Sequence, residues 1–228
     1  MDSPRTSSLP ASFDDEGFAI FASVISGQVC DEIVSALARL ENVGAGSRAL
    51  IKTKLFVEVA NAIQQHPGIK ELLAENVKPV QCTLFAKGSN ALWSVTPHQD
   101  LSIPVREQQQ IIGWRGWSQK EGMTFVQPPD LVLEQLVAVR LQLDDHSPET
   151  GPLEVVPGTH LLGRLSNAEI LKQAGAGRYP CLVPRGGAVV IRPLIIHSSD
   201  KPKTTQPRRV LQYLFGPPLP DGMHWGID

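Results

Sequence analysis

The hydrophobic pattern of the chain changes once, about a third of the way along. In the first part, apolar residues recur three or four positions apart, beginning after an N-cap residue, Ser26, and ending at Gly44. This spacing places them on one face of an amphipathic helix. Residues 55–64 and 67–76 have the same pattern and predict two more helices. The segment from about 13 to 78 is therefore predicted to be mainly helical.

The rest of the chain is a series of short apolar runs separated by proline, glycine and aspartate. Such runs are typical of the strands of a β-sandwich or barrel, and the β core should span about residues 79–216. With one early run before the first long helix, the predicted strands cover residues 17–21, 80–85, 136–143, 153–156, 188–196 and 209–215. Segment 106–130 interrupts the series. It is too long for a simple hairpin connection and is predicted to be a loop that shapes a binding site.

Composition and charge exclude several classes of protein. The 228 residues, 42% of them hydrophobic, suit one domain over residues 13–228 after a flexible segment, 1–12. A net charge of -2 without a basic stripe argues against nucleic acid as a partner. No apolar run is long enough for a membrane span or a secretion signal. Three widely separated cysteines argue against a disulfide framework and a zinc site, so we expect a reducing, cytoplasmic location.

The triplet His98-Gln99-Asp100 is the first indication of chemistry. In an extended segment, residues i and i+2 point to the same side, so an imidazole and a carboxylate can reach one metal ion. His197, just after the apolar run 188–196, is the best-placed third ligand. Two histidines and one carboxylate form the facial triad of non-haem Fe(II) oxygenases, which leaves coordination positions open. His160 is the alternative, although its Pro-Gly-Thr-His turn favours a capping or packing role.

Arg208 begins the final predicted strand, next to the strand that is predicted to lead to His197. A guanidinium there could hold the far carboxylate of a dicarboxylic cosubstrate in a bidentate pair. Arg209 is the alternative anchor, because neighbouring residues on a strand face opposite ways and only one can point at the metal. The spacing from His197 favours Arg208.

With these residues in this order, the chain resembles the phytanoyl-CoA dioxygenase family of Fe(II)/2-oxoglutarate-dependent oxygenases. The resemblance rests on the His-Gln-Asp triplet, on Gly-Pro-Leu-Glu-Val-Val-Pro-Gly-Thr-His at 151–160, on His197-Ser198-Ser199 and on Arg208. It implies an α+β, mainly β chain: a double-stranded β-helix, or jelly-roll, of two antiparallel sheets. The N-terminal helices would pack on the outside of one sheet.

The resemblance also implies roles for individual residues. Iron would be bound by His98, Asp100 and His197. Arg208 would bind 2-oxoglutarate together with Ser199, two residues after the distal histidine. Thr83 matches a strand position that lines the cosubstrate pocket.

Arg140 and three tryptophans are further candidates, and each has more than one interpretation. Arg140 stands where the phytanoyl-CoA hydroxylases have a tryptophan that touches 2-oxoglutarate, so it could face the cosubstrate or an acid group of the substrate. Trp93, Trp114 and Trp117 are candidate walls of a substrate pocket, with core or loop packing as the competing interpretation. Trp114 and Trp117, in the long loop, are the pair selected for this role.

The expected activity is hydroxylation of a small molecule, with conversion of 2-oxoglutarate and O2 to succinate and CO2. Desaturation, cyclisation or epoxidation by the same iron chemistry is one alternative. A non-catalytic jelly-roll that binds a small ligand is another, and the complete triad with Arg208 argues against it.

Overall fold

The structure is a computed structural model that describes residues 12–40, 47–48, 50–87, 93–145, 147–220 and 222–227. The predicted flexible residues 1–11 and the predicted helix end at Gly44 lie outside the described residues. The helices are α1 Phe13–Glu16, α2 Gly27–Arg39, α3 Lys54–Gln65, α4 Pro67–Lys70, α5 Asp130–Leu133 and α6 Asn167–Gly175. The strands are β1 Phe18–Phe21, β2 Lys78–Lys87, β3 Val95–His98, β4 Ile103–Val105, β5 Arg115–Lys120, β6 Met123–Gln127, β7 Val137–Gln142, β8 Leu153–Val156, β9 Tyr179–Cys181, β10 Ala188–Ile191, β11 Ile196–Ser199 and β12 Arg208–Gly216.

The strands form two main sheets, and every pairing in them is antiparallel. One sheet has the strand order β1-β10-β7-β12-β2 and the other has the order β3-β11-β8-β9. Side chains from both sheets meet in one buried cluster, which includes Ala138 and Val189 from the first sheet and Leu153 and Val155 from the second. Two antiparallel sheets that enclose one buried interior form a double-stranded β-helix, so the predicted fold is confirmed.

The N-terminal helices cover the outside of the five-stranded sheet. Ser26 caps α2 as predicted, since its Oγ accepts a hydrogen bond from the Val29 N–H at 3.3 Å. The apolar stripes of α2 and α3 pack in one cluster with outward residues of the sheet such as Leu84 and Leu211. The predicted third helix, 67–76, is shorter than expected, because α4 ends at Lys70 and the chain continues in turns.

The segment 106–130 is not the single long loop that the sequence predicts. It contains the β5–β6 hairpin, which extends β4 into a three-stranded sheet of order β4-β6-β5. Glu121 and Gly122 form the turn, with φ of 50° and 73°. Two adjacent positive φ values suit a tight two-residue hairpin. The prediction was wrong because β5, Arg-Gly-Trp-Ser-Gln-Lys, is mostly polar and exposed and so carries no apolar alternation.

The prediction of one strand over residues 188–196 is also wrong, because the chain turns at residues 192–195 between β10 and β11. The Ile195 N–H donates to the Arg192 carbonyl at 3.0 Å, and the turn carries the chain from one main sheet to the other. Leu194 and Ile195 are apolar and buried in this turn, so the hydrophobic run continues through it. As a result, Arg208 on β12 is not on the strand beside β11 but belongs to the other sheet.

None of the helices in the described ranges is long and apolar enough to cross a lipid bilayer.

Candidate metal centre and adjoining cavities

The three predicted metal ligands meet at one end of the jelly-roll. His98 ends β3 and lies directly opposite His197 of β11 in the antiparallel ladder, with ring centroids 4.2 Å apart. Asp100 Oδ1 is 3.6 Å from His98 Nε2, and Asp100 Oδ2 is 3.7 Å from His197 Nε2. One ligand atom from each residue lies within 4.8 Å of the others. A single metal ion can bridge atoms at this spacing.

Both imidazoles are oriented by backbone carbonyls. His98 Nδ1 is 2.9 Å from the Thr96 oxygen, and His197 Nδ1 is 3.0 Å from the Ile195 oxygen. A carbonyl only accepts hydrogen bonds, so each Nδ1 carries the proton when the ring is neutral. The lone pair of each Nε2 is then available to a metal, an arrangement common for metal-binding histidines.

Gln99, the middle residue of the triplet, fixes the position of its neighbours. Its Nε2 donates to the carbonyls of Gly163 at 2.8 Å and Leu194 at 2.7 Å, and its Oε1 accepts from the Leu165 N–H at 2.9 Å. The Asp100 N–H donates to the Pro193 carbonyl at 2.9 Å. The triplet is therefore tied to the turn that leads into β11, so both sources of ligands are held together.

The local electrostatics favour metal binding. Burial lowers the pKa of His197 to about 4, so this imidazole is neutral at physiological pH. Burial alone would raise the pKa of Asp100, but His197, His98 and Arg140 outweigh it and hold this pKa well below its usual range. For His98, burial lowers the pKa, but the hydrogen bond and charge of Asp100 outweigh it, and the pKa is raised. The group therefore presents an ionised carboxylate beside a neutral imidazole.

A cavity of about 250 Å³ adjoins the three ligands and is lined by four cationic side chains, Arg48, Lys87, Arg140 and Arg208. We call it the cationic cavity. Lys87 and Arg208 are directly opposite in the β2–β12 ladder. Lys87 Nζ donates to Ser199 Oγ at 2.8 Å and to the Asp200 carbonyl at 3.1 Å. Ser199 lines the cavity as well, and so does Trp93.

The buried cations leave hydrogen-bonding capacity unused. Arg208 and Arg140 are 5% and 8% exposed, and the Nε of each is buried without a partner in the described part of the chain. Burial and the charge of Arg140 lower the pKa of Arg208 to about 10. Burial and the two arginines lower the pKa of Lys87 to about 8. Asp100 is the one carboxylate among the described lining residues, so the cavity fits an anion with more than one charge.

Gln212 connects the cationic cavity to the metal ligands, and the sequence analysis missed it. Its Nε2 donates to Asp100 Oδ2 at 3.2 Å, and its Oε1 accepts from Arg140 Nη1. Arg140 is thereby linked to Asp100 through one amide. The signal for Gln212 was its position four residues after Arg208, because even spacing along a strand places side chains on the same face.

The segment 151–160 holds β11 and the end of the cationic cavity in place. A Cβ on Gly151, whose φ is 68°, would lie 2.3 Å from the Asp200 carbonyl oxygen, so only glycine allows this approach. Thr159 Oγ1 accepts from the Ile196 N–H at 2.9 Å, at the start of β11. His160 Nε2 lies 2.9 Å from the Asp14 carbonyl oxygen. His160 is thus used in packing α1 and is not brought to the triad.

Three other predicted residues lie away from the cationic cavity. Thr83 lines a second cavity, of about 300 Å³, that shares Arg48, Phe85 and Asp100 with the first. Trp114 is 5% exposed within the interior cluster, and Trp117 packs against that cluster. Neither tryptophan lines either cavity at Asp100. Of the three candidate tryptophans, Trp93 lines the cationic cavity.

Arg209, the alternative anchor, points out of the interior. Its backbone N–H and its Nε donate to Asp144 Oδ2 at 2.7 and 2.9 Å. It lines a surface groove with Asp31 and Arg185 instead of a cavity at the triad. The alternation along β12 therefore selects Arg208 as the residue that faces the metal ligands.

A jelly-roll with a His-Asp-His centre beside a cationic cavity defines the class of non-haem iron oxygenases that use 2-oxoglutarate. The family comparison agrees: the phytanoyl-CoA dioxygenase (PhyH) family matches residues 13–210, and the chain belongs to this family. The predicted family and the predicted cofactors Fe(II) and 2-oxoglutarate are confirmed. No curated protein sequence matches the chain.

Solved structures share the fold at low sequence identity. HygX from Streptomyces hygroscopicus, crystallised with nickel and 2-oxoglutarate, has a TM-score of 0.64 and 16% identity over 90% of this chain and 84% of its own. SnoN, an alpha-ketoglutarate-dependent epimerase from nogalamycin biosynthesis, also has a TM-score of 0.64 and 16% identity, over 90% and 79%. EctD from S. alaskensis has a TM-score of 0.64 and 14% identity, over 91% and 75%.

Proposed function

We propose that the protein hydroxylates a small molecule with Fe(II), 2-oxoglutarate and O2. One observation carries the proposal: a His-Asp-His set and three buried cations line the same cavity. The ligand set suits Fe(II), and the unpartnered Nε atoms of Arg140 and Arg208 suit a dicarboxylate. Both requirements of a 2-oxoglutarate oxygenase are thus supported by residues of this chain.

His98, Asp100 and His197 are the residues that would hold the iron. The Thr96 and Ile195 carbonyls keep the imidazole rings oriented, and Gln212 holds one oxygen of Asp100. With both cofactors bound, the centre supplies oxidising power by converting 2-oxoglutarate and O2 to succinate and CO2.

Arg208 is the proposed anchor of the far carboxylate of 2-oxoglutarate. Its planar guanidinium can form a bidentate pair, which fixes direction as well as charge. Ser199 accepts a hydrogen bond from Lys87, so its own hydroxyl proton remains to be donated to the same carboxylate. Arg140 is linked to Asp100 through Gln212 and adds a second fixed charge to the cavity. Thr83, expected beside the cosubstrate, is better suited to the second cavity.

Hydroxylation is proposed as the reaction, and product analysis separates it from other outcomes. Among structural neighbours, SnoN is described as an epimerase and ThoJ as a non-heme monooxygenase, so this fold carries more than one chemistry. A product heavier by one oxygen supports hydroxylation or epoxidation, and a loss of two hydrogens indicates desaturation or cyclisation.

The first test measures release of succinate from 2-oxoglutarate by the iron-loaded protein with a metabolite extract. His98→Ala and His197→Ala should each abolish succinate release and anaerobic Fe(II) binding, because two ligands do not hold the ion. His224→Ala, at an exposed histidine, is the matched control and should behave like the unaltered protein. Turnover retained by either ligand variant, with folding verified by circular dichroism, would contradict the assignment.

We also infer that residues 13–228 act as one unit in a reducing compartment, the cytoplasm, on a small-molecule substrate. The C-terminal Trp225 is buried in the same interior cluster as the strands, which supports one unit. All three cysteines are buried and free of disulfides, which supports a reducing location. If the protein purified in air contained a disulfide and lost its fold when that disulfide was reduced, the result would argue against a reducing location.

A further inference from the structure

The second cavity at Asp100 has a different chemistry from the cationic cavity. The two cavities share Arg48, Phe85 and Asp100, yet none of the buried cations Lys87, Arg140 and Arg208 lines the second one. Its volume of about 300 Å³ is in the range of small-molecule sites. The cosubstrate and a second molecule could therefore approach the same metal ligand from separate cavities.

Neutral hydrogen-bonding side chains dominate the polar part of this second cavity. Gln81 Nε2 donates to Thr83 Oγ1 at 2.7 Å, which leaves the Gln81 oxygen and the Thr83 hydroxyl proton for a ligand. Gln127 Oε1 accepts from Arg164 Nη1 at 3.0 Å, which leaves its NH2 group. Ser102 adds a hydroxyl. We call this cavity the amide cavity.

The charged residues of the amide cavity are already engaged. Arg48 forms an ion pair with Glu121 at 2.8 Å. Lys120 is exposed, with its Nζ 5.1 Å from the centre of the Phe125 ring. An anionic ligand would compete with Glu121 for Arg48, so the amide cavity does not offer the charge that the cationic cavity offers.

An aliphatic chain would fit this cavity poorly. It would cover the amides of Gln81 and Gln127 without giving them partners, and covering polar groups in this way is unfavourable. A molecule with several hydroxyl groups would satisfy donors and acceptors together. The Phe85 and Phe125 rings, also in the lining, provide apolar surface for the C–H faces of such a molecule.

We propose that the amide cavity binds the primary substrate and that this substrate is an uncharged, polyhydroxylated molecule of sugar size. The inference deepens the proposed function and rests on it, because the amide cavity borders the metal ligand Asp100. Gln81 and Gln127 are the residues that determine specificity, and Thr83 belongs to this site and not to the cosubstrate.

The test measures binding without turnover. The protein is loaded anaerobically with Fe(II) and 2-oxoglutarate, and its visible charge-transfer band and heat of binding are followed. The polyhydroxylated probes are D-glucose, myo-inositol and sucrose; sodium decanoate and sodium gluconate are the aliphatic and anionic comparisons. Gln81→Leu and Gln127→Leu remove one amide each, and Gln135→Leu removes an exposed amide outside both cavities.

We expect at least one polyhydroxylated probe to bind and to change the band, and each cavity variant to weaken that binding roughly five- to tenfold. Gln135→Leu should bind it normally, and all three variants should keep their 2-oxoglutarate affinity. The inference would be overturned if decanoate or gluconate bound more tightly than the polyhydroxylated probes, or if no polyhydroxylated probe bound at millimolar concentration. In either case an intact 2-oxoglutarate charge-transfer band would leave the proposed function standing. Absence of the 2-oxoglutarate band in the unaltered protein would instead count against the proposed function.

Discussion

The two faces of the five-stranded sheet are built from the same strands, but beside its apolar residues the inward face also buries polar and charged side chains near the triad. On β12, Leu211, Tyr213 and Phe215 point outward and are fully buried under the N-terminal helices. Arg208 and Gln212 point inward, towards the triad. A period of two along one strand therefore separates an apolar core from a polar site.

The difference shows where stability and function reside in this molecule. The outward face buries apolar area, which is the main favourable contribution to folding. The inward face buries guanidinium groups with unused hydrogen-bonding atoms, which opposes folding unless a ligand compensates. Substitutions on the outward face should consequently change stability, whereas those on the inward face should change binding.

The largest effect is expected on the outward face. Leu211→Ala should lower the free energy of unfolding by about 2–5 kcal/mol, because it leaves a cavity between the sheet and the helices. Leu161→Ala, at a leucine that is 67% exposed, should change stability by less than about 0.5 kcal/mol. Urea denaturation of both variants measures the contrast. Equal stabilities of the two variants would show that the helices do not depend on this face.

Arg208→Ala should weaken 2-oxoglutarate binding by tens-fold or more, because it removes a charge-assisted bidentate pair from a buried site. Arg208→Lys should be intermediate, since it keeps the charge without the fork. Arg209→Ala, on the outward face, should leave the affinity nearly unchanged. Anaerobic titration of the Fe(II) protein, followed by the charge-transfer band, gives all three constants. If Arg209→Ala lowered the affinity for 2-oxoglutarate and Arg208→Ala did not, the two faces of β12 would be assigned the wrong way round.

Gln212→Leu tests whether the inward face also tunes the metal ligands. It removes the hydrogen bond to Asp100 and the partner of Arg140, so Fe(II) affinity should fall about tenfold with the fold intact. Gln206→Leu, at an exposed amide bonded to the Asp145 carbonyl, serves as its control. Competition with a metal-binding dye measures both affinities. An unchanged Fe(II) affinity in Gln212→Leu would limit the role of Gln212 to packing.

The smallest effect concerns the charge on Lys87. Because its pKa is lowered to about 8, Lys87 is mainly cationic below this pH and neutral above it. The affinity for the 2-oxoglutarate dianion should therefore fall about two- to fivefold as pH rises through 8. In Lys87→Met the affinity should be lower at neutral pH and nearly independent of pH in this range. Titrations at about pH 7 and about pH 9 test this, and an identical pH slope in the variant would assign the titration elsewhere.

The sequence analysis succeeded where a local pattern is sufficient. Helical spacing identified α2 and α3, and the even spacing of His98 and Asp100 placed both side chains on one side of the chain. It failed where a buried turn has the same composition as a strand, as at 192–195, and where a strand is polar, as in β5. Apolar turns and polar edge strands are decided by what surrounds them, which a window of sequence does not contain.

The sequence by itself predicted the ligand set, the anchor Arg208 and the division into helical and β parts, because each prediction rests on residue type and on patterns along the chain. Only the tertiary structure decided which partners Lys87 and Gln212 have, that Thr83 and Arg140 line different cavities, and that Trp114 lies in the interior. These assignments depend on pairings between distant strands, such as β2 with β12 and β7 with β12. Register across such pairs is set by the packing of the whole sheet, so it follows from the fold and not from any single segment.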